Sequence, residues 1–202
     1  MSIAEKLQTI AENEQTVFEA GKKSEYDRFW DAYQKNGNLY FYENSFAGDG
    51  WHDGTYKPKY PIIGKWGGGL NNTFAYCYIT DTLVPIYVDT TITTLRLTFN
   101  TARELKTIRE IHITEVTSFD GTFNGLEKLE NITFVGTIGY GLNFQWSTKL
   151  SKASIENIIS CLSANTSGLT VTLSQTAVNT AFTDNEWATL IATKPNWTIS
   201  LV

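Results

Sequence analysis

The stretch Asp49-Gly50-Trp51-His52-Asp53-Gly54 holds two carboxylates and an imidazole close together. A metal site needs further ligands at defined offsets, and catalysis needs a nucleophile or a positioned partner. The chain contains no H-E-x-x-H, G-x-S-x-G, phosphate-loop or EF-hand spacing that would supply them. The stretch reads as an Asp/Gly turn with an exposed histidine. Gly64-Lys65-Trp66-Gly67-Gly68-Gly69 lacks the G-K-[ST] ending of a phosphate loop. Cys77 and Cys161 are far apart, outside any metal spacing, and read as buried free thiols. No catalytic residue, metal ligand or cofactor site is therefore expected. Glycoside hydrolysis needs two carboxylates facing across a cleft. The acidic residues here are scattered over expected helix surfaces and turns, so a glycan-active enzyme is the weakest reading.

Residue types suited to binding are plentiful. Trp51, Tyr56, Tyr60 and Trp66 are large rigid rings that either stack on sugars or seal the end of a neighbouring unit. Aromatics make up 13% of the chain, which raises the weight of a binding surface. A second candidate surface emerges only once the elements that position it are set out.

Those elements repeat. The pattern L-x-x-I-x-x-I-x-I appears as Leu105, Ile108, Ile111, Ile113 and returns 21 residues later as Leu126, Leu129, Ile132, Phe134. A Phe-Asn pair precedes each copy, Phe99-Asn100 and Phe123-Asn124, and a looser first copy reads Phe74, Leu83, Ile86, Val88. The three phenylalanines are 25 and then 24 residues apart. Such periods indicate stacked supersecondary units. Each unit is expected to carry a short strand with alternate residues pointing inward: Ile86 and Val88, Leu95 and Leu97, Ile111 and Ile113, Ile132 and Phe134. Leu142, Phe144 and Trp146 form the next strand. In a stack of this kind the outward residues align as a ladder, here Tyr87, His112, Thr133, Gln145 and Thr172. That ladder is polar, weakly charged and suited to a protein loop or a glycan.

The flanks read differently. Residues 2–20 carry an apolar stripe (Ile3, Leu7, Ile10, Val17, Phe18), which fits either an oligomer seam or a face lying on the repeats. A second helical stretch is expected over 25–35. The segment 38–72 is rich in turn signals and reads as an aromatic capping linker, with a short strand at Asn38–Tyr42. Toward the C-terminus, Ser151 caps a helix bearing Ile155, Ile158, Ile159 and Leu162, and Thr183 with Glu186 forms a capping box. Leu169, Val171, Leu173 and then Trp197, Ile199, Leu201 alternate as strands. The domain reading is thus 1–37 helical, 38–72 linker and 73–202 repeats.

Sixteen basic against 21 acidic residues give a net charge of −5, and no Lys/Arg cluster marks a nucleic-acid footprint. No apolar run approaches the ~18 residues of a membrane span, and the N-terminus shows no signal-peptide pattern.

The copies from Phe99 to Ile113 and from Phe123 to Phe134 resemble the BspA-like class of leucine-rich repeat, in which an aromatic before the repeat packs the turn. The resemblance implies an α/β fold: a short irregular solenoid, an N-terminal helical segment and helix–strand C-terminal repeats. Ala20-Gly21-Lys22-Lys23-Ser24-Glu25-Tyr26-Asp27, Phe46-Ala47-Gly48, Tyr56-Lys57-Pro58-Lys59-Tyr60 and Lys194-Pro195-Asn196-Trp197-Thr198 resemble prophage proteins of gut Firmicutes encoded near tail genes. That resemblance implies a non-enzymatic binding role in a phage tail, or a structural role there without a ligand. It also implies a virion location, or a cytoplasmic one before lysis.

Overall fold

The computed structural model describes residues 34–35, 38–41, 62–64, 70–88, 93–113 and 118–202. The expected helix over 2–20, the helical stretch up to residue 33, and Trp51, His52, Tyr56, Tyr60 and Trp66 lie outside the described residues.

The architecture is mixed α/β. Six strands form one sheet in chain order: β1 (Gln34–Lys35), β2 (Asn38–Phe41), β3 (Ile62–Gly64), β4 (Ile86–Val88), β5 (Thr107–Ile113) and β6 (Asn131–Gly136). Only β1 and β2 pair antiparallel; the other pairings are parallel. A second, fully parallel sheet joins β7 (Leu142–Phe144), β8 (Leu169–Leu173) and β9 (Trp197–Leu201). Among the described residues there are three helices: α1 (Lys152–Cys161), α2 (Gln175–Ala181) and α3 (Asp184–Ile191). Among the described residues no sheet closes into a barrel. The strand at Gln34–Lys35 replaces the end of the helix expected over 25–35, and β1, β2 and β3 continue the sheet of the repeats.

Stacked turns opposite the strands set the repeat. Phe74, Phe99 and Phe123 each sit between two left-handed residues, one two positions before and one two positions after. These are Asn72 and Tyr76 (φ 53° and 60°), Leu97 and Thr101 (57° and 58°), and Gly121 and Gly125 (61° and 70°). A positive φ at the third position is what a type II turn requires. The bonds from Thr98 N–H to the Leu95 carbonyl and from Ala102 N–H to the Phe99 carbonyl, both 3.1 Å, close two such turns. Intervening amides reach the next unit. Leu97, Phe99 and Thr101 donate to the carbonyls of Asp120, Thr122 and Asn124 at 2.9, 3.1 and 2.8 Å. Asn72, Phe74 and Tyr76 donate likewise to Arg96, Thr98 and Asn100. From Leu95 to Arg103 every backbone N–H is bonded, Arg96 through the Thr94 hydroxyl. This matters because an unpaired buried amide costs as much as a lost hydrogen bond.

Two buried columns run along this ladder. The rings of Phe74, Phe99, Phe123 and Phe144 stack at centroid distances of 5.3, 6.2 and 4.5 Å. One residue upstream of the first three rings stand Thr73, Thr98 and Thr122, and Ser147 is buried with them. The Thr98 hydroxyl donates to the Leu70 carbonyl at 2.8 Å, and that of Thr122 donates to the Leu95 carbonyl at 2.6 Å. The Thr98 and Thr122 hydroxyls thus tie their own units to the preceding ones.

This register corrects the expected offset. Ile108 pairs with Ile132 and Ile111 with Phe134, so strand partners are 24 and then 23 residues apart, not 21. A bulge between Ile108 and Glu110 accounts for the change. Residues three apart on a regular strand face opposite sides. The bulge turns both Arg109 and Glu110 outward, so Ile108 and Ile111 are both buried. Burial of Ile111, Ile113, Ile132 and Phe134 in one core agrees with the sequence, as does the exposure of Thr133.

Other expectations fail locally. Leu95 is buried in the core as expected but stands just before a turn, not in a strand, and Leu97, within that turn, covers Gly121 instead of entering the core. In the loose first copy, Leu83 is 44% exposed and Thr82 is buried instead, accepting the Arg109 amide at 2.9 Å. β7 stops at Phe144, and Trp146 lies exposed in a turn. Cys77 is buried and Cys161 half-buried, and both are free.

The C-terminal part follows the sequence more closely. Ser151 caps α1 through the Ser154 amide, and Thr183 and Glu186 form the expected capping box on α3. Lys152 first, then the Thr183 amide, hold the Glu186 carboxyl down to about 2 from its ordinary 4.5.

The two columns give a paired stability prediction. Thr122→Val removes a buried donor from the Leu95 carbonyl and should cost ~1–2 kcal/mol. Ser147 Oγ is buried without a protein partner, so Ser147→Ala should be neutral or stabilising. Urea midpoints of the two variants check this; equal losses would contradict the role given to the hydroxyl column. A second prediction concerns acid. A depressed carboxyl contributes stability above its unfolded value and loses it as pH falls toward the folded one. The melting temperature should therefore lose an increment between pH 4.5 and about 2 that Glu186→Gln lacks. Parallel acid titrations of the two proteins would show the idea wrong if their curves ran parallel.

Candidate functional site

The outward face of β4–β6 carries the expected ladder, but in a different row. Register places Tyr87 beside His112 and His112 beside Val135, while Thr133 stands opposite Glu110. The Tyr87 and His112 rings stack at 4.2 Å with an interplanar angle of 22°. His112 Nε2 lies 2.8 Å from Glu110 Oε2. Tyr87 and Val135 are 36% and 40% exposed. The result is a short strip with an aromatic pair at its centre, an apolar end at Val135 and a polar flank at Glu110 and Thr133. Arg109 borders it, held by Asp81 through Nε at 3.0 Å and Nη2 at 2.6 Å.

Strand geometry explains why Tyr87 and His112 meet. Ile86, Val88, Ile111 and Ile113 are drawn inward by burial, so the residues between them must face out. Neighbouring parallel strands lie about 4.8 Å apart, which brings the two flat rings to stacking distance.

Gln145 and Thr172 do not join this strip. The six-stranded sheet ends at β6, and α1 accounts for the ending. Ser154 Oγ accepts the Ile132 amide at 3.0 Å, Asn157 Oδ1 accepts the Phe134 amide at 2.7 Å, and Asn157 Nδ2 donates to the Phe134 carbonyl at 3.1 Å. Helix side chains thus satisfy the groups that another strand would otherwise pair. Thr172 belongs to the second sheet, between Asn143 and Ser200, and Gln145 lies just past the end of β7. The polar Ser154 and Asn157 on a helix with an otherwise apolar inner face are the signal for this break.

Among the described residues no cluster of three or more His, Cys, Asp or Glu could hold a metal ion. Burial pushes the Cys77 thiol up to about 12, which makes it a poor nucleophile. Among the described residues no helix is long and apolar enough to cross a membrane.

Compared with protein-family models, curated proteins and solved structures, the chain gives no match.

Proposed function

We propose that this chain is a non-enzymatic recognition protein. On this reading the stacked units form a short leucine-rich-repeat solenoid, and the outward strip on β4–β6 meets a protein loop or a glycan at a cell surface. The observation that carries the reading is the Tyr87–His112 stack, an aromatic pair on the outer face of β4–β6, where Ile86, Val88, Ile111, Ile113, Ile132 and Phe134 are buried on the inner face. Exposed aromatics held rigidly by their neighbours are what binding surfaces concentrate. The resemblance to prophage proteins gives the setting, a phage tail.

The test uses purified protein and intact cells of the bacterium that carries the gene. Tyr87→Ala/His112→Ala should leave the melting temperature within ~2 °C of the parent, since both residues lie on the outer face. Cell binding should fall about tenfold or more, the loss expected when a hot-spot pair is removed. Undiminished binding would remove this strip as the contact surface. Immunogold labelling of induced virions should decorate tails; labelling confined to host cells would refute the tail setting.

A further inference from the structure

A second surface is formed by other residues. Beside the first described turn unit lies a cleft of about 350 Å³, lined by Tyr76, Cys77, Tyr78, Thr101, Arg103 and Glu104. That volume is at the small end of ligand sites. Its shape follows from one column of the turn ladder. The left-handed position after each stacked phenylalanine is Tyr76, then Thr101, then Gly125. A ring is followed by a short hydroxyl and then by no side chain, which leaves open space alongside Tyr76.

Tyr76 is an unusual choice for its backbone. A bulky residue at φ 60° is disfavoured, and such strain tends to persist where a site uses it. Leu97, at a similar φ, packs over Gly121. The Tyr76 ring instead stays 59% exposed on the cleft, with Tyr78 48% exposed beside it. The ladder sets the backbone of Tyr76 and Cys77, since the Tyr76 amide donates to the Asn100 carbonyl at 2.8 Å and the Cys77 amide to the Phe74 carbonyl at 3.3 Å.

The polar side of the cleft has paired donors and acceptors. Both Glu104 carboxylate oxygens accept from Lys128 Nζ, at 2.7 and 2.6 Å, which fixes that side chain. Arg103 is held loosely, with Nε 3.7 Å from Glu127 Oε1, and is well exposed. Among the described residues these two cations and two anions balance, which favours a neutral ligand. Rigid ring faces next to a guanidinium, a carboxylate and a hydroxyl fit a ring with apolar C–H faces and hydroxyls around its edge. We propose that this cleft binds a neutral saccharide ring, stacked on Tyr76 beside Tyr78 and hydrogen-bonded at its rim by Arg103 and Glu104.

The proposal is independent of the β4–β6 strip. The full-length protein would be titrated with the methyl glycosides of glucose, galactose, mannose and N-acetylglucosamine, following tyrosine ring resonances by NMR. At least one glycoside should shift the Tyr76 and Tyr78 signals saturably. Tyr76→Gly should abolish that shift while raising the melting temperature by about 2–4 °C through relief of the left-handed strain. Arg103→Ala should weaken binding about tenfold with the melting temperature unchanged. Tyr87→Ala/His112→Ala should bind the glycoside as the parent does, so failure of the strip and failure of the cleft are distinguishable. No saturable shift with any of the four would overturn the proposal. So would unchanged binding by Tyr76→Gly, or a lowered melting temperature, which would make the ring a packing element.

Discussion

The structure depends on satisfying the backbone of chain segments that are neither helix nor regular strand. Between Leu70 and Leu126 the chain turns back through tight bends, and bends of this kind normally lie in water. Here they are stacked, and the stacking is made possible by left-handed residues two positions either side of each phenylalanine. Alternate amides then close the bend within a unit or reach the carbonyls of the next one. No unit can do this alone, since its outward-facing amides need a neighbour at the right height. The requirement fixes the register more tightly than apolar burial does, because a shift of even one residue would leave a whole set of amides unpaired.

The apolar core follows from that register. With the bends fixed, Phe74, Phe99 and Phe123 must stack, and the threonine beside each ring is carried into the interior, where the hydroxyls of Thr98 and Thr122 bond carbonyls of the preceding unit. On the opposite side the strands are brought into line, and the bulge at Ile108–Glu110 lets two isoleucines three residues apart share the core. The same bulge aligns His112 with Tyr87 and Val135. The composition of the outer strip is therefore a consequence of how the interior packs. Where Ser154 and Asn157 take over the edge of β6, the strip ends.

Much of this was legible in the sequence, and the failures have physical causes. Inward Ile132 and Phe134 with outward Thr133 follow from strand alternation alone. The 21-residue offset was misleading because a motif with apolar residues every three positions matches itself when slid by three. The 24-residue spacing of Phe99-Asn100 and Phe123-Asn124 holds the true register, since a stacked ring cannot slide. The same shift of offset puts Thr133 in the row that Val135 occupies. Leu97 and Leu83 look like core residues by type, and only their positive φ turns them elsewhere. Helix α2 was missed because Gln175–Ala181 contains Thr, Asn and Val, which are weak helix formers; burial of Ala177 and Val178 holds it. The Tyr76 cleft carries no sequence signature, as it arises from which residue types follow one another along a column of the stack.

The inter-unit amide ladder is the central claim, and trans-hydrogen-bond scalar coupling in deuterated, isotopically labelled protein tests it most directly. The Phe99 amide nitrogen should couple to the Thr122 carbonyl carbon, with Leu97 coupling to Asp120 and Thr101 to Asn124. Coupling of Phe99 to the Phe119 carbonyl, the partner that a 21-residue period would supply, would contradict the register and with it the placement of the outer strip.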